Sequence, residues 1–568
     1  MIDFSQKHVK KTLGILIILV VSFLCWRSYS LDLITHWESP RVFKMFQSTE
    51  KAKIPSLRIQ KGGNTGGCQY EHDYAHITIQ KYILQKLHLN TSIRNIRGVS
   101  FVFGALALCV LFMFLLKQTS FLISLASTLL LGTLPIYVAF QNVLFPQIAV
   151  VAFCALILYF SQSYLERPLR KKNLYIFALA LLFAITSTSY LIGRLFMVII
   201  YGILLLNSFI DFRTLKLEEK KDIQLNLFSL FKIFILHVLI LGIFKLSNIP
   251  LFFSPEFLFS PLGEYMTGES ASFLTGLFKN LIFLVKYLMM GLPYIDTQPS
   301  SFMAFGDGRV SLFSLSIFLI FSLGFLISLS KKNMKKNLLI MITFFGMVLM
   351  LLMSQIYIVM GEESYTLSTY RSFCLVLFLP FFSYLAFEFI YKKNRTVCIV
   401  AVVILLGVNV SEIIKNNRDF SDLMKNKSTA YKSLDGPEGY EVRRQTGYYF
   451  EKPLLIYRIS NYIHDVLKND SERNKKKIFF IDQKKLRDYK YKFNCGIYLN
   501  SYLKTFINIY LQEHDYSLAY FEKNRVNTLS PNHFIAVSRE EVYAFLKYYH
   551  PEKIQVYDLN EQFLRVQE

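Results

Sequence analysis

The stretch that decides the fold lies between Arg27 and Arg97. It opens, from Trp26, as WRSYSLDLITHWESPRVFKMF (Trp26–Phe46) and continues through GGNTGGCQYEHDYAHITIQKYI (Gly62–Ile83). Apolar runs flank it on both sides, and it is too long and too polar to be a turn between two membrane spans. Asp32, His36, Glu38, Glu71, His72, Asp73 and His76 all fall inside it. Chemistry, if the chain performs any, is expected in this loop.

The surrounding chain has 568 residues, of which 53% are hydrophobic, 16% aromatic and 18% charged, with a mean hydropathy of +0.35. Soluble proteins carry more charge, so a polytopic α-helical membrane protein is the expected class. The formal charge of +23 does not indicate a nucleic-acid surface. The basic residues sit in short clusters beside apolar runs, the pattern of topology signals at an anionic membrane face. No basic stripe interleaved with stacking aromatics accompanies them, so no nucleic-acid partner is expected.

Lys7, Lys10 and Lys11 precede the apolar run Thr12–Trp26, and no small-residue cleavage site follows, so this reads as an uncleaved first span. Positive-inside then places the N-terminus in the cytoplasm and residues 27–97 outside. Further apolar runs follow at Gly98–Leu116, Phe121–Phe140, Val143–Leu165, Leu174–Tyr190, Leu191–Phe209 and Leu227–Leu246, and then at Val310–Ser330, Asn337–Met360, Ser372–Tyr391 and Thr396–Val410. About 11 transmembrane helices result.

Residues 247–309 form a second outer segment. Its apolar piece Leu281–Met290, interrupted by Lys286, reads as an interfacial helix rather than a span. A full crossing there would put KKNMKK (Lys331–Lys336) on the outside, against the charge rule. These runs define a membrane domain over residues 1–414.

From about Lys415 the composition turns charged and soluble. KIFFID, HFIAVS and IQVYDL read as short strands, with helical stretches at Tyr502–Glu513 and Arg539–Tyr548. Residues 415–568 are therefore expected to be a C-terminal extracytoplasmic α/β domain. Of seven cysteines, Cys25, Cys109, Cys154, Cys374 and Cys398 fall in spans as small apolar packers. Cys68 and Cys495 fall outside them, where a disulfide is conceivable.

Several segments in this order resemble the C-type (GT-C) glycosyltransferases, within them the protein mannosyltransferase and aminoarabinose transferase-like branch. HWESPRVFKMF looks like that family's Asp-Glu loop after the first span. YAHITIQKYILQKLHLNTSIRNIRGVSFVFGAL resembles its His-Pro-Pro-Leu helix and the Arg that opens the second span, here Arg97. TLPIYVAFQNVLFPQIAVVAF looks like its outer turn between the third and fourth spans. STSYLIGRLFMVII resembles its tyrosine-and-arginine hairpin, and FMAFGDGRVSLFSLSIFLIFSLGFLISL its later Gly-Asp segment. The likeness covers Thr12–Asn394.

That resemblance implies a transferase working from a polyprenyl-phosphate sugar at the outer face of a cell's inner membrane. The acceptor would be a lipid, glycan or protein, and a divalent cation (Mg or Mn) is a possible cofactor. A carboxylate takes the acceptor's proton, with Glu38 and Asp32 the two candidates. His72 and Asp73 could orient an acceptor or bind a metal, although Asp73 equally suits the cap of the helix that follows it. Arg97, Arg194, Arg309 and Arg371 stand near outer span ends, where guanidinium forks suit a phosphate. Snorkelling anchors are the plainer reading of the same arginines. Tyr190, Tyr365 and Tyr370 could stack on a sugar or belong to the interfacial aromatic belt.

The departures from the pattern are specific. Trp37 stands where the family has its aspartate, Gln141 and Gln147 stand where it has an Arg and an acidic residue, and both prolines of the His-Pro-Pro start are absent. A non-catalytic scaffold of this fold therefore remains an alternative. A flippase or transporter of lipid-linked glycans is another, although it calls for paired half-repeats that the chain lacks and for mid-span ionisable groups, of which only His237 and Lys232 are candidates.

Overall fold

The computed structural model describes residues 2–28, 74–89, 92–144, 146–166, 172–211, 216–217, 220–244, 281, 292–293, 309–310, 313–330, 333, 337–355, 373–425, 459–469, 476–481, 507–508, 510–511, 519–520, 533–536, 539–548 and 554–559. Each apolar run expected to span has a helix among its described residues. In chain order these are α1 (Ile2–Ser28), α2 (Tyr74–Lys86), α3 (Ile93–Leu115), α4 (Phe121–Gly132), α5 (Pro135–Gln141), α6 (Pro146–Glu166), α7 (Asn173–Ser189), α8 (Leu191–Phe209), α9 (Lys220–Ile243), α10 (Leu315–Ser328), α11 (Leu338–Gln355), α12 (Leu379–Lys393) and α13 (Arg395–Lys425). A 3-10 turn, Phe373–Phe378, leads directly into α12.

Among the described residues seven helices are long and apolar enough to cross a membrane, or eight if the bent pair α4–α5 is one span. The apolar helices Asn173–Ser189, Leu315–Ser328 and Leu338–Leu352 are shorter. The chain is thus a polytopic helical membrane protein. Burial sorts centre from rim: the apolar window of the span containing α12 is 83% buried and that of α6 72%, whereas those of α1 and α13 are 22%. The rim helices turn Leu16, Phe23, Val403 and Ile404 outward, as lipid-facing surfaces do.

One expectation needs correcting. The run Phe121–Phe140 is not one straight span but two helices meeting at 65°. Pro135 causes the break, because it has no N–H to donate back and it disfavours helical backbone in the residue before it. Leu134 accordingly adopts φ −65°, ψ 124°, and Pro135 opens α5 at its first turn. Thr133 caps α4, its hydroxyl donating to the Leu129 carbonyl at 2.9 Å.

Two other ends differ from the apolar runs for local reasons. α3 begins at Ile93, five residues ahead of Gly98, because the Ser92 hydroxyl accepts from the Asn95 N–H at 3.3 Å and starts the helix there. α13 continues without a break to Lys425, past the change of composition at Lys415.

Packing follows sequence closely. α3 packs on α6, α6 on α7 and α7 on α9; α1 lies against α3 and α4, and α12 against α10 and α4. The approach of α10 to α12 is tight, since a Cβ on Gly324 would meet the Phe382 carbonyl. Phe321, Phe325, Phe344 and Phe382 interlock around that crossing with ring centroids 5.0–5.9 Å apart. Cys25, Cys109, Cys154, Cys374 and Cys398 form no disulfide, and four of them are buried, consistent with a packing role.

The three expected strands form as Lys476–Phe480, His533–Ala536 and Ile554–Asp558, and Ala519–Tyr520 adds a fourth. All pair in parallel, with Lys476–Phe480 between His533–Ala536 and Ile554–Asp558 and with Ala519–Tyr520 on the edge. Parallel strands need crossover connections, and the helix Arg539–Tyr548 supplies the one between His533–Ala536 and Ile554–Asp558.

Candidate active site where the first helix ends

The end of the bundle where α1 finishes, outer by the charge rule, gathers polar side chains out of contact with solvent. The carbonyl of Trp26, near the end of α1, accepts from Asn142 Nδ2 at 3.4 Å, and the same amide donates to the Val138 carbonyl at 3.0 Å. Asn142 therefore ties the α5–α6 turn to the first span. On the other side Asn409 of α13 donates through Nδ2 to the Leu130 carbonyl at 3.3 Å and to Thr133 Oγ1 at 3.1 Å. A rim helix thus grips the break between α4 and α5.

α3 turns one polar stripe into this region. Arg97, Ser100 and Gly104 recur at helical spacing and share a face. Arg97 is 4% exposed and Ser100 is fully buried. α2 meets this face: His76 and Gln80, one turn apart, are both buried, and Gln80 Nε2 donates to Ser100 Oγ at 3.4 Å. α5 meets it from the other side. Tyr137 donates its hydroxyl to the Gly104 carbonyl at 2.8 Å, and a Cβ on Gly104 would sit 2.2 Å from Gln141 Nε2. The glycine is what allows the Gln141 carboxamide to lie flat against α3.

Beside this seam, α7 and α8 form a hairpin. Tyr190, extended at φ −167°, ends one helix and opens the other. Gly193 lets the first turn of α8 rest on the last turn of α7, since a Cβ there would lie 2.4 Å from the Thr186 carbonyl. The next residue, Arg194, is 2% exposed and donates through Nε to the Ser187 carbonyl at 2.9 Å. That carbonyl is among the last four of α7, which have no helical partner, and a guanidinium there also opposes the helix dipole. Capping alone does not require a buried arginine, because a surface lysine would serve. α2 packs against α7 as well as α3, so it bridges the hairpin and the Arg97 stripe.

Gln141 and Gln147, exposed by 0% and 4%, bracket the turn between α5 and α6. Neither the oxygen nor the nitrogen of either carboxamide has a hydrogen-bond partner, and Gln80 Oε1 also lacks one. Each such buried group costs about 1–3 kcal/mol. The bundle therefore retains polar atoms at this end that its own packing does not satisfy.

Of the residues singled out in the sequence, Arg97 and Arg194 are placed in this region, both as buried side chains, and Tyr190 sits half-buried at the hairpin. His76 packs in the α2 face rather than standing on the surface. Arg309 lies in a two-residue strand with Val310, paired with Leu292–Pro293. Asp32, Glu38, His72, Asp73 and Arg371 lie outside the described residues, as do His36, Trp37, Lys286, Cys68, Tyr365, Tyr370 and Cys495. Gln80, Ser100, Asn142 and Asn409 were not anticipated. Their signal is the one that buried polar positions always leave, a lone amide or hydroxyl inside an apolar helical run, as in VILLGVNV around Asn409.

Among the described residues no three His, Cys, Asp or Glu side chains come together as a metal site. Where the resemblance calls for charge, Gln141 and Gln147 offer neutral amide oxygens, whereas hard divalent ions are usually held by carboxylates. The carboxylates and histidine that could hold such an ion, Asp32, Glu38, His72 and Asp73, lie outside the described residues. His237, the mid-span ionisable residue noted above, meets the Tyr201 hydroxyl at 3.1 Å between α9 and α8, stacked beside it at 6.2 Å.

No family model matches the chain, and no curated protein matches it either. Among the solved structures that resemble it are two membrane proteins. ArnT from Cupriavidus metallidurans bound to undecaprenyl phosphate aligns over 97% of this chain and 90% of its own, with 10% identity and a TM-score of 0.44. An Archaeoglobus fulgidus oligosaccharyltransferase, tethered with an acceptor peptide containing the NVT sequon, aligns over 77% of this chain and 58% of its own, with 11% identity and a TM-score of 0.34.

Proposed function

We propose that the chain is a membrane glycosyltransferase that moves a sugar from a polyprenyl-phosphate donor to a lipid, glycan or protein acceptor at the outer face. The observation that carries this reading is the burial of two arginines, Arg97 and Arg194, at the outer ends of α3 and α8. Both positions are those at which the sequence resembles the GT-C pattern. Burying a guanidinium is costly unless charge and hydrogen bonds compensate it, so such residues in a membrane bundle point to function.

In this reading the guanidinium groups hold the donor's phosphate and offset the negative charge that grows on it as the bond to the sugar's anomeric carbon breaks. The acceptor oxygen forms the new bond to that carbon and passes its proton to a carboxylate, Glu38 or Asp32. In the same reading His72 and Asp73 orient the acceptor, and Arg309 and Arg371 are further groups for the phosphate. The N-terminus is cytoplasmic, and the membrane domain 1–414 presents the α/β domain 415–568 on the side of the site.

The test is transfer of labelled sugar from a series of polyprenyl-phosphate sugars by the purified full-length protein supplied with membrane extract. Transfer that stops on Glu38→Gln or Asp32→Asn identifies the base. No transfer with any donor, together with unchanged cells for both variants, would sink the proposal. A scaffold without catalysis is the second reading, favoured by Trp37 and by the neutral Gln141 and Gln147.

A further inference from the structure

We infer that Gln141 and Gln147, at the two sides of the α5–α6 turn, form a neutral subsite that reads sugar hydroxyls, with Gln141 deeper in the bundle than Arg97. The inference rests on the lipid-linked donor proposed above. Its ground is a count of hydrogen-bonding capacity. A carboxamide offers two N–H donors and an oxygen with two lone pairs, and in both glutamines every one of these is buried and unsatisfied. A phosphate diester only accepts, so it would leave both amide oxygens empty. A cation would satisfy the oxygens and be repelled by the N–H groups. A hydroxyl both donates and accepts, and a sugar ring presents several at fixed spacing, so it meets all four atoms.

Position supports the same assignment. Gln141 lies against Gly104, and Arg97 is seven residues earlier on the same face of α3, which at helical rise places it about 10 Å nearer the outer end. A phosphate held at the Arg97 level and a hexose pointing inward span about that length. Gln80, whose Oε1 is also unsatisfied, meets the stripe midway at Ser100. The carboxamides are closed off from solvent, so the sugar enters by displacing packing at the α5–α6 turn, whose ends the two glutamines mark.

Full-length protein in phospholipid nanodiscs is titrated with bare undecaprenyl phosphate and with undecaprenyl-phosphate hexoses and N-acetylhexosamines. Wild type is expected to bind at least one sugar-bearing member about tenfold or more tightly than the bare carrier. The double variant Gln141→Met, Gln147→Met, close to the native shape, is expected to lose that increment, bind the bare carrier as before and melt no lower than wild type. An increment that survives the double variant overturns the inference. So does loss of bare-carrier binding along with it, which would make the glutamines phosphate or packing residues. If the double variant fails to fold, Gln141→Asn and Gln147→Asn retain the amide one methylene shorter, and a wild-type increment in both overturns it. No increment in wild type with any sugar overturns the proposed donor itself, a result distinct from the others.

Discussion

The two ends of the bundle differ in how their largest buried polar side chains are satisfied. At the end where α1 begins several have partners, although Ser161 Oγ has none. Lys117 donates to Ser163 Oγ at 3.2 Å and lies 4.2 Å over the Tyr159 ring, while Lys172 donates to Asn226 Oδ1 at 3.4 Å and lies 4.2 Å over Tyr164. Tyr384 donates to Asn337 Oδ1 at 2.9 Å, and Asn337 in turn donates to the Asn333 carbonyl at 3.2 Å. At the outer end Gln141 and Gln147 satisfy nothing. Polar groups at the first end hold helices together; at the second Asn142 and Asn409 do the same, while the two glutamines are kept at a cost. That contrast is the signature of a structural end and a working end.

The sharpest way to break the contrast is Arg194. Removing a buried cation that faces developing charge is expected to lower sugar transfer by about 100-fold to 1,000-fold in Arg194→Ala, measured as initial rate. Arg194→Lys should recover part of it, since a lysine keeps the charge but not the fork that reaches the Ser187 carbonyl. If Arg194 only caps α7, both variants will lower the melting temperature and leave the rate per folded molecule unchanged.

Next in size comes a purely architectural position. Gly324→Ala puts a Cβ against the Phe382 backbone, which cannot swing aside as a side chain would. A loss of about 3 kcal/mol or more in stability is expected, read as a fall in the detergent melting midpoint with transfer per folded molecule intact. Gly104→Ala is the instructive opposite. Its new Cβ meets the movable end of Gln141, so the expected loss is in transfer, with a smaller change in melting.

These contrasts show what was legible in the chain. Helix existence followed from apolar runs, and three strands from KIFFID, HFIAVS and IQVYDL, because both are short-range signals; their parallel pairing, set between distant segments, was not read. The bend at Pro135 was equally local, but a continuous apolar run from Phe121 to Phe140 masked it. The polar seam could not be read the same way. Gln80 meets Ser100 across 20 residues and Asn409 meets Thr133 across 276, so each contact exists only after the helices pack. The two arginines were legible because a cation at a span's end stands out against its neighbours. The carboxylates Glu38 and Asp32 lie outside the described residues, which leaves their roles to the substitutions above.

The smallest expected effect tests the opposite end, where α1 begins, on its own terms. Tyr384→Phe removes the hydroxyl that satisfies Asn337 Oδ1 and leaves that oxygen buried between α11 and α12. Paired bonds between membrane helices are worth about 0.6 kcal/mol on average, and the stranded acceptor adds to that. A stability loss of about 1 kcal/mol is therefore expected, with no change in transfer or in carrier binding. The double variant Tyr384→Phe, Asn337→Leu removes both partners and should regain part of the loss, because no polar atom is then left unpaired. The matching pair of changes at the outer end, Gln141→Met and Gln147→Met, starts from atoms already unpaired and should cost no stability. If Tyr384→Phe instead slowed transfer while stability held, the division between a structural and a working end would be wrong at its structural half.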